Sequence, residues 1–168
     1  MRLVGLYAIA AVIALAIQTA VPMLLRVRFL VPNLIVILAV DLGLRHHGAT
    51  AALVAFAMGY ATDATSGARI GLNAFLVTLI YLLSYEVSRR LLVTTGLVGA
   101  LAVFVAALVT GLGVAGIAAG GAAMTAMGSV APWVLAQAAI SAILAPLVFA
   151  LLARLKKAIG LPASAARE

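Results

Sequence analysis

The sequence predicts an all-α integral membrane protein with six transmembrane helices. Three observations carry that expectation. Residues 1–158 form an almost continuous succession of apolar stretches, cut by short polar breaks that arginines mark. Hydrophobic residues make up 67% of the chain and charged residues 9%, with a mean hydropathy of +1.29. Eleven basic and four acidic residues among 168 cannot supply the polar exterior that a water-soluble fold of this size needs, so the solvent is lipid. In lipid every backbone donor and acceptor must be paired within the chain, which leaves helices or a closed barrel. The apolar runs are long, unbroken and rich in Leu and Ala rather than alternating with period two, which selects helices. A hydrocarbon core of about 30 Å needs about 20 residues per helix, so the chain holds about six spans.

The segments follow in order. The first helix is expected over Leu3 to Leu25, with Pro22 near its exit and with Gln18 and Thr19 as its polar members. That run exceeds the roughly 7 to 15 apolar residues of a signal peptide, so it reads as a retained span. The second covers Val31 to Leu44 and opens on Pro32, where a missing amide hydrogen does no harm. The third covers Ala49 to Ala64, and Ser66 to Gly71 form a glycine-bearing turn. The fourth runs from Leu72 to Ser88, the fifth from Leu91 to Ala119. Gly120 and Gly121 open a weakly hydrophobic loop lasting to Ala131, and the sixth helix covers Pro132 to Ala153. Residues 1–158 form one transmembrane domain, and residues 159–168 a short polar tail. The second and third segments are short. Either they extend through their flanks or part of the pair is re-entrant.

Charge placement orients the chain. One set of helix ends carries Arg2, Arg45, Arg89, Arg90, Arg154, Lys156, Lys157 and Arg167, and the other Arg26, Arg28 and Arg69. The richer set is expected in the cytoplasm, which puts both termini there. That agrees with an even number of spans, which puts both termini on one side. The net charge of +7 therefore reflects orientation rather than nucleic-acid binding. There is no cysteine, hence no disulfide or thiolate metal site.

The sharpest pattern lies on the third helix. Ala51, Ala55, Gly59 and Asp63 recur every four residues, and Gly67 continues the series into the turn. Residues four apart share a helix face. Small side chains there let another helix approach closely, which in lipid substitutes for a hydrophobic drive. Ala107, Gly111, Ala115 and Ala119 form a second stripe on the fifth helix. Internal packing is the favoured reading of both, and contact with a partner protein the other. Asp63, an intramembrane carboxylate, is a functional candidate. It lies near the outer end of its helix, where capping the glycine turn or pairing with Arg69 would explain it. Asp41 precedes Arg45 by four residues, and Glu86 precedes Arg89 by three and Arg90 by four. Both sets read as boundary ion pairs along one helix face. His46 and His47 lack a third ligand nearby in sequence, so no metal site is expected. Gln18, Thr19, Asn73, Thr78, Ser84, Gln137 and Ser141 are expected to bond across helices or to their own backbone. Tyr60 and Trp133 fall near the outer boundary, where aromatic belts form. No nucleophile sits at a telling distance from a base, and there is no phosphate loop. The chain reads as a scaffold or permease component, not as an enzyme.

Residues 31–83 resemble the MreD family of bacterial rod-shape-determining membrane proteins. Pro32 and Leu34 match its proline-led second helix, and Gly59 and Asp63 its glycine-x-x-x-aspartate third helix. Gly67, Gly71, Leu72 and Asn73 match the turn that follows. Asn33 stands where aspartate is commoner, and Ile70 where leucine is usual. Elsewhere the likeness rests on hydropathy and length. The resemblance implies a non-enzymatic, cofactor-free role in lateral peptidoglycan synthesis at the inner membrane, beside an MreC-like partner. The same machinery includes actin-like MreB, a RodA-type glycosyltransferase and a class B penicillin-binding protein. The implied fold resembles the substrate-binding subunits of energy-coupling-factor vitamin transporters, six helices around a central cavity. On this reading the small-residue faces hold the partner's helix or a second copy of the chain. Asp63, Asn73 and the turn Ser66 to Gly71 shape one end of the cavity or partner groove. The rival is a solute-binding permease subunit of the vitamin-transporter kind. Aromatics at 6% and a single tryptophan, Trp133, furnish a poor solute pocket.

Overall fold

The computed structural model describes residues 2–25, 31–66, 70–90, 96–119 and 123–160. All regular structure among them is helical: α1 (Arg2–Leu25), α2 (Leu34–Arg45), α3 (Ala49–Ser66), α4 (Leu72–Arg90), α5 (Gly96–Ala119) and α6 (Ala123–Ala158). Among the described residues three helices carry a stretch long and apolar enough to cross a bilayer, at Arg2–Pro22, Leu97–Ile117 and Val130–Ala158.

α3 and α4 each end two residues later than the sequence expectation and α6 ends at Ala158 rather than Ala153, while the expected start of the fifth helix at Leu91 lies outside the described residues. Two starts also differ, each for a physical reason. The second helix begins at Leu34, not Val31. Asn33 is its N-cap, and its side-chain oxygen accepts the Val36 amide at 3.2 Å. An asparagine cap satisfies a donor that an early helical turn leaves orphaned, so Val31 and Pro32 stay outside. The sixth helix begins at Ala123, nine residues before Pro132, where a loop was expected. Residues 123–131 are less apolar than a span, but their Ala and Met residues are strong helix formers. Low hydropathy there ends the lipid-facing stretch without ending the helix. At 36 residues α6 is about 54 Å long, well beyond a hydrocarbon core.

α2 is the centre of the fold. It touches all five other helices, and every residue from Ile35 to Gly43 is buried. Val36, Ile37, Ala39, Val40 and Leu42 have no exposed surface. A helix apolar on all sides, with one aspartate, has no face to offer water and packs where protein surrounds it. At 12 residues it is about 18 Å long, too short to cross a bilayer by itself.

Around it the helices alternate in direction. The Ser88 hydroxyl near the end of α4 donates to the Leu44 carbonyl near the end of α2 at 2.8 Å. The Tyr81 hydroxyl reaches the Gly48 carbonyl, just before α3, at 3.2 Å. Phe149, late on α6, packs at Gly99, early on α5, and Val134, early on α6, packs at Gly111, late on α5. The start of α1, the ends of α2, α4 and α6 and the starts of α3 and α5 thus share one end of the bundle, which we call the basic end.

Close approach at glycine sets the tightest contact. A methyl group added to Gly59 on α3 would sit 2.5 Å from the Asn73 carbonyl oxygen and 2.6 Å from Ala74 Cα, both backbone atoms of α4. Neither can step aside. Gly59→Ala is therefore expected to destabilise the protein by about 1–3 kcal/mol, read as a lower unfolding midpoint in detergent. Gly116→Ala, where an added methyl meets open space, is expected to leave the midpoint unchanged or raise it.

Candidate functional site

At the basic end three helices meet on one buried carboxylate. Asp41, in the last turn but one of α2, has no exposed surface. Its Oδ2 accepts the Tyr7 hydroxyl of α1 at 2.6 Å and the Lys156 ammonium of α6 at 2.7 Å. The Arg45 Nε stands 2.7 Å from Oδ1 as an ion-pair contact, one turn along the same helix. That approach is not aligned as a hydrogen bond, so Oδ1 is held by charge rather than by a directed donor. Lys156 is 1% exposed, and its ammonium lies 5.2 Å from the centre of the Tyr7 ring. The Arg45 guanidinium lies 5.9 Å from the centre of the Phe149 ring. Two cations against one carboxylate leave the cluster with an excess positive charge.

His46 closes this cluster from the α2–α3 connection. It is buried, its ring edge-on to Tyr7 at 6.1 Å, and its Nε2 has no hydrogen-bond partner among the described residues. Burial above all, then the nearby Lys156 and, more weakly, Arg45 and His47, pull its pKa down to about 4; Asp41 opposes them. The ring is therefore neutral at neutral pH. His47, next in sequence, is exposed and packs against Tyr85 at 4.9 Å.

Here the structure adds to the expected Asp41–Arg45 pair. Asp41 and Arg45 do pair, but Asp41 lies inside the protein and shares its charge with Lys156, 115 residues away. Helical spacing exposes only the i,i+4 partner, and the others come from tertiary packing. A partial signal existed. On α6, Ala138, Ser141, Ala145, Phe149, Leu152 and Lys156 follow one another at helical spacing and are all buried. On α1, Tyr7, Ala11 and Ala14 do the same. Extending either stripe reaches the polar member. Glu86, by contrast, meets Arg89 and Arg90 only at 3.7 and 3.8 Å, with all three side chains at least half exposed.

The opposite end carries two further polar groups. Asp63 closes α3 onto α4. Its Oδ2 accepts the amides of Gly71 at 3.0 Å and Ala74 at 3.1 Å, and its Oδ1 accepts the Asn73 amide and side-chain nitrogen, both at 3.0 Å. A carboxylate is favoured at these orphan N–H groups and at the positive end of the helix dipole. Gly71 makes the turn with φ +98°, which a side chain would strain. Gly67 and Arg69 lie outside the described residues. Ala51, Ala55, Gly59 and Asp63 are all buried, and Gly59 and Asp63 meet the first turn of α4. On α5, Ala107 is buried, Gly111 faces Val134 of α6 and Ala115 is half-buried. The second group ties α1, α2 and α6. Gln18 Nε2 donates to the Pro32 carbonyl and Gln137 Nε2 to the Val31 carbonyl, both at 3.0 Å, and the Asn33 amide donates to the Ser141 hydroxyl at 2.9 Å. Thr19 and Thr78 donate to their own helices.

With this geometry in hand, comparison with known proteins is informative. The family model for the rod shape-determining protein MreD matches residues 1–155. The chain belongs to the MreD family. No curated protein and no solved structure shows significant similarity to it. The match takes in the Asp63 cap, the Asn33 cap, Tyr7, Asp41 and Arg45, and stops one residue short of Lys156. Membership in this family implies a role in rod-shape determination. With its apolar helices, it also makes the chain a membrane protein.

Two predictions follow from the cluster. Asp41→Asn strands the buried Lys156 ammonium, whose carboxylate partner is Asp41, and is expected to destabilise by about 3–5 kcal/mol. Asp41→Asn with Lys156→Met removes both charges and is expected to lose clearly less than the single change, in a double-mutant cycle of unfolding in detergent. The second concerns pH. His46 is neutral when folded but takes up a proton near 6.5 when unfolded, so below that pH the unfolded state binds more protons. Its contribution to stability is fully present above about 6.5 and falls as pH drops towards about 4. Unfolding midpoints across that window should fall less steeply in His46→Gln.

Proposed function

We propose that this chain is a non-enzymatic scaffold of the cell-elongation machinery in the bacterial inner membrane. It would hold an MreC-like partner, and work beside MreB, a RodA-type glycosyltransferase and a class B penicillin-binding protein, with a second copy of the chain as a further contact. The observation that carries this reading is the match of the MreD family model to residues 1–155. In this reading residues 1–158 cross the bilayer six times, the short α2 doing so together with the residues that flank it, in an arrangement similar to energy-coupling-factor substrate-binding subunits, and residues 159–168 form a cytoplasmic tail. The alternating helix directions and the arginines and lysines at one end support that topology, with both termini in the cytoplasm. Arg45, Arg90 and Lys156, from three helices, belong to that end.

The small-residue faces enter this proposal as structural elements. Ala51, Ala55, Gly59, Asp63, Gly71 and Asn73 would clamp α3 on α4, and Ala107, Gly111 and Ala115 would seat α6 on α5. They would shape a partner surface from within. The centre of the bundle supports a scaffold over a solute carrier, because aliphatic side chains of α2 fill it.

The test is co-purification of an epitope-tagged chain with an MreC-like protein from rod-shaped cells, scored together with cell shape. The tagged chain is expected to retain the partner, and its depletion to round the cells. In Asp63→Ala, partner capture is expected to fall in step with the folded yield. Capture that never exceeds that of an unrelated multi-spanning protein overturns the scaffold reading. Capture lost at full folded yield would place Asp63 in the partner contact itself.

A further inference from the structure

Between α4 and α5 a groove of about 270 Å³ opens on the outside of the bundle. Ile80, Leu83 and Val87 of α4 face Leu101, Val105 and Val109 of α5 across it. The lining is almost wholly aliphatic. Ser84 is its polar member and is itself buried.

Two features say what fits there. The first is length. The lining runs from Ile80 to Val87 on α4 and from Val98 to Val109 on α5. At 1.5 Å per residue these are about 10 and 16 Å. A hydrocarbon core is about 30 Å thick, so the groove spans about one leaflet. A partner helix crossing the membrane would want a face as long as the whole core. A lipid tail ends at the midplane, and the groove is of that length. The second is charge. The groove's α4 wall leads to the basic end. Leu83, Val87 and Arg90 lie on one helical face at spacings of four and three. The Arg90 side chain is 84% exposed and meets Glu86 only at 3.8 Å. Arg89 lies about 100° round the helix, over the Tyr85 ring, and takes the other contact of Glu86 at 3.7 Å. Of the two guanidinium groups, Arg90 is therefore the one on the groove's side.

We infer that the α4–α5 groove binds one anionic phospholipid of the leaflet at the basic end. An acyl chain lies along the groove, and the headgroup phosphate sits at Arg90. Guanidinium suits a phosphate because its planar fork offers paired donors. The inference rests on the membrane reading above, but not on any partner.

Native mass spectrometry of the full chain in neutral detergent tests it, with phosphatidylglycerol or phosphatidylcholine of matched chains added. Phosphatidylglycerol is expected to bind about fivefold more tightly, the effect of one basic residue at an anionic headgroup. Arg90→Gln is expected to abolish that preference. Val105→Trp, at a half-exposed lining position, is expected to lower retention of both lipids at least tenfold. Ala102→Phe fills the groove from a second position and gives the same readout should Val105→Trp fold poorly. Ile13→Trp, on the exposed face of α1, is expected to change nothing. Equal retention of both lipids by the unaltered chain overturns the inference, as does full retention in both groove-filled variants. A photocrosslinker at Val105 that yields a protein adduct in membranes, rather than a lipid one, overturns it in favour of a partner helix. Failure of the chain to fractionate with membranes would instead sink the underlying reading.

Discussion

The arrangement of the bundle depends on satisfying one carboxylate. Asp41 sits on the innermost helix with no exposed surface, and an ionised group there is tolerable only where donors converge on it. Its own helix supplies Arg45. The other donors must come from neighbours, and Tyr7 and Lys156 bring the second turn of α1 and the last turn of α6 to the same level. Chain segments 34 and 115 residues away are fixed by a single side chain. His46 takes its place in this arrangement as a neutral ring, first because it is buried and then because two cations already face one anion.

The other end solves the same problem differently. Asp63 has no cation among its described partners and relies on four N–H donors at the start of α4. Asn33 caps α2 without a charge, through the same kind of contact an aspartate would make at that position. Between the two polar levels, contact is through small and aliphatic side chains. In lipid such contact gains dispersion energy but no hydrophobic drive, and it does not fix the register of one helix against another. Directional bonds at both ends supply the register, and close approach at Gly59 and Gly111 supplies the packing between them.

Much of this was legible in the sequence, and the limits have physical causes. Helical class, the number of segments and the small-residue stripes follow from composition and from a period of about 3.6. The Asp63 cap was readable because all its partners lie within eleven residues. The start of α6 was not, because hydropathy reports where lipid ends and not where a helix ends. Lys156 was read as one of the basic residues that end a span, since at the end of an apolar helix a buried lysine and an exposed one look alike. What separates Lys156 from Lys157 is a rotation of about 100° about the helix axis. That turn places one on the stripe of Phe149 and Leu152 and the other on the exposed face.

These polar bonds bear on how a shape-determining membrane protein would work. Asp41, Asp63, Asn33, Gln18, Gln137, Ser141 and Lys156 all spend hydrogen bonds inside the chain. These groups are therefore not the ones that would recognise anything outside the chain. Apolar surface in lipid discriminates by shape alone, and shape is specific only if it is rigid. The central strut α2, bonded at one end through Asp41 and at the other through Asn33, holds α1 and α6 at fixed positions. A scaffold of this kind would be weakened at its buried charges before it was weakened at its exposed faces.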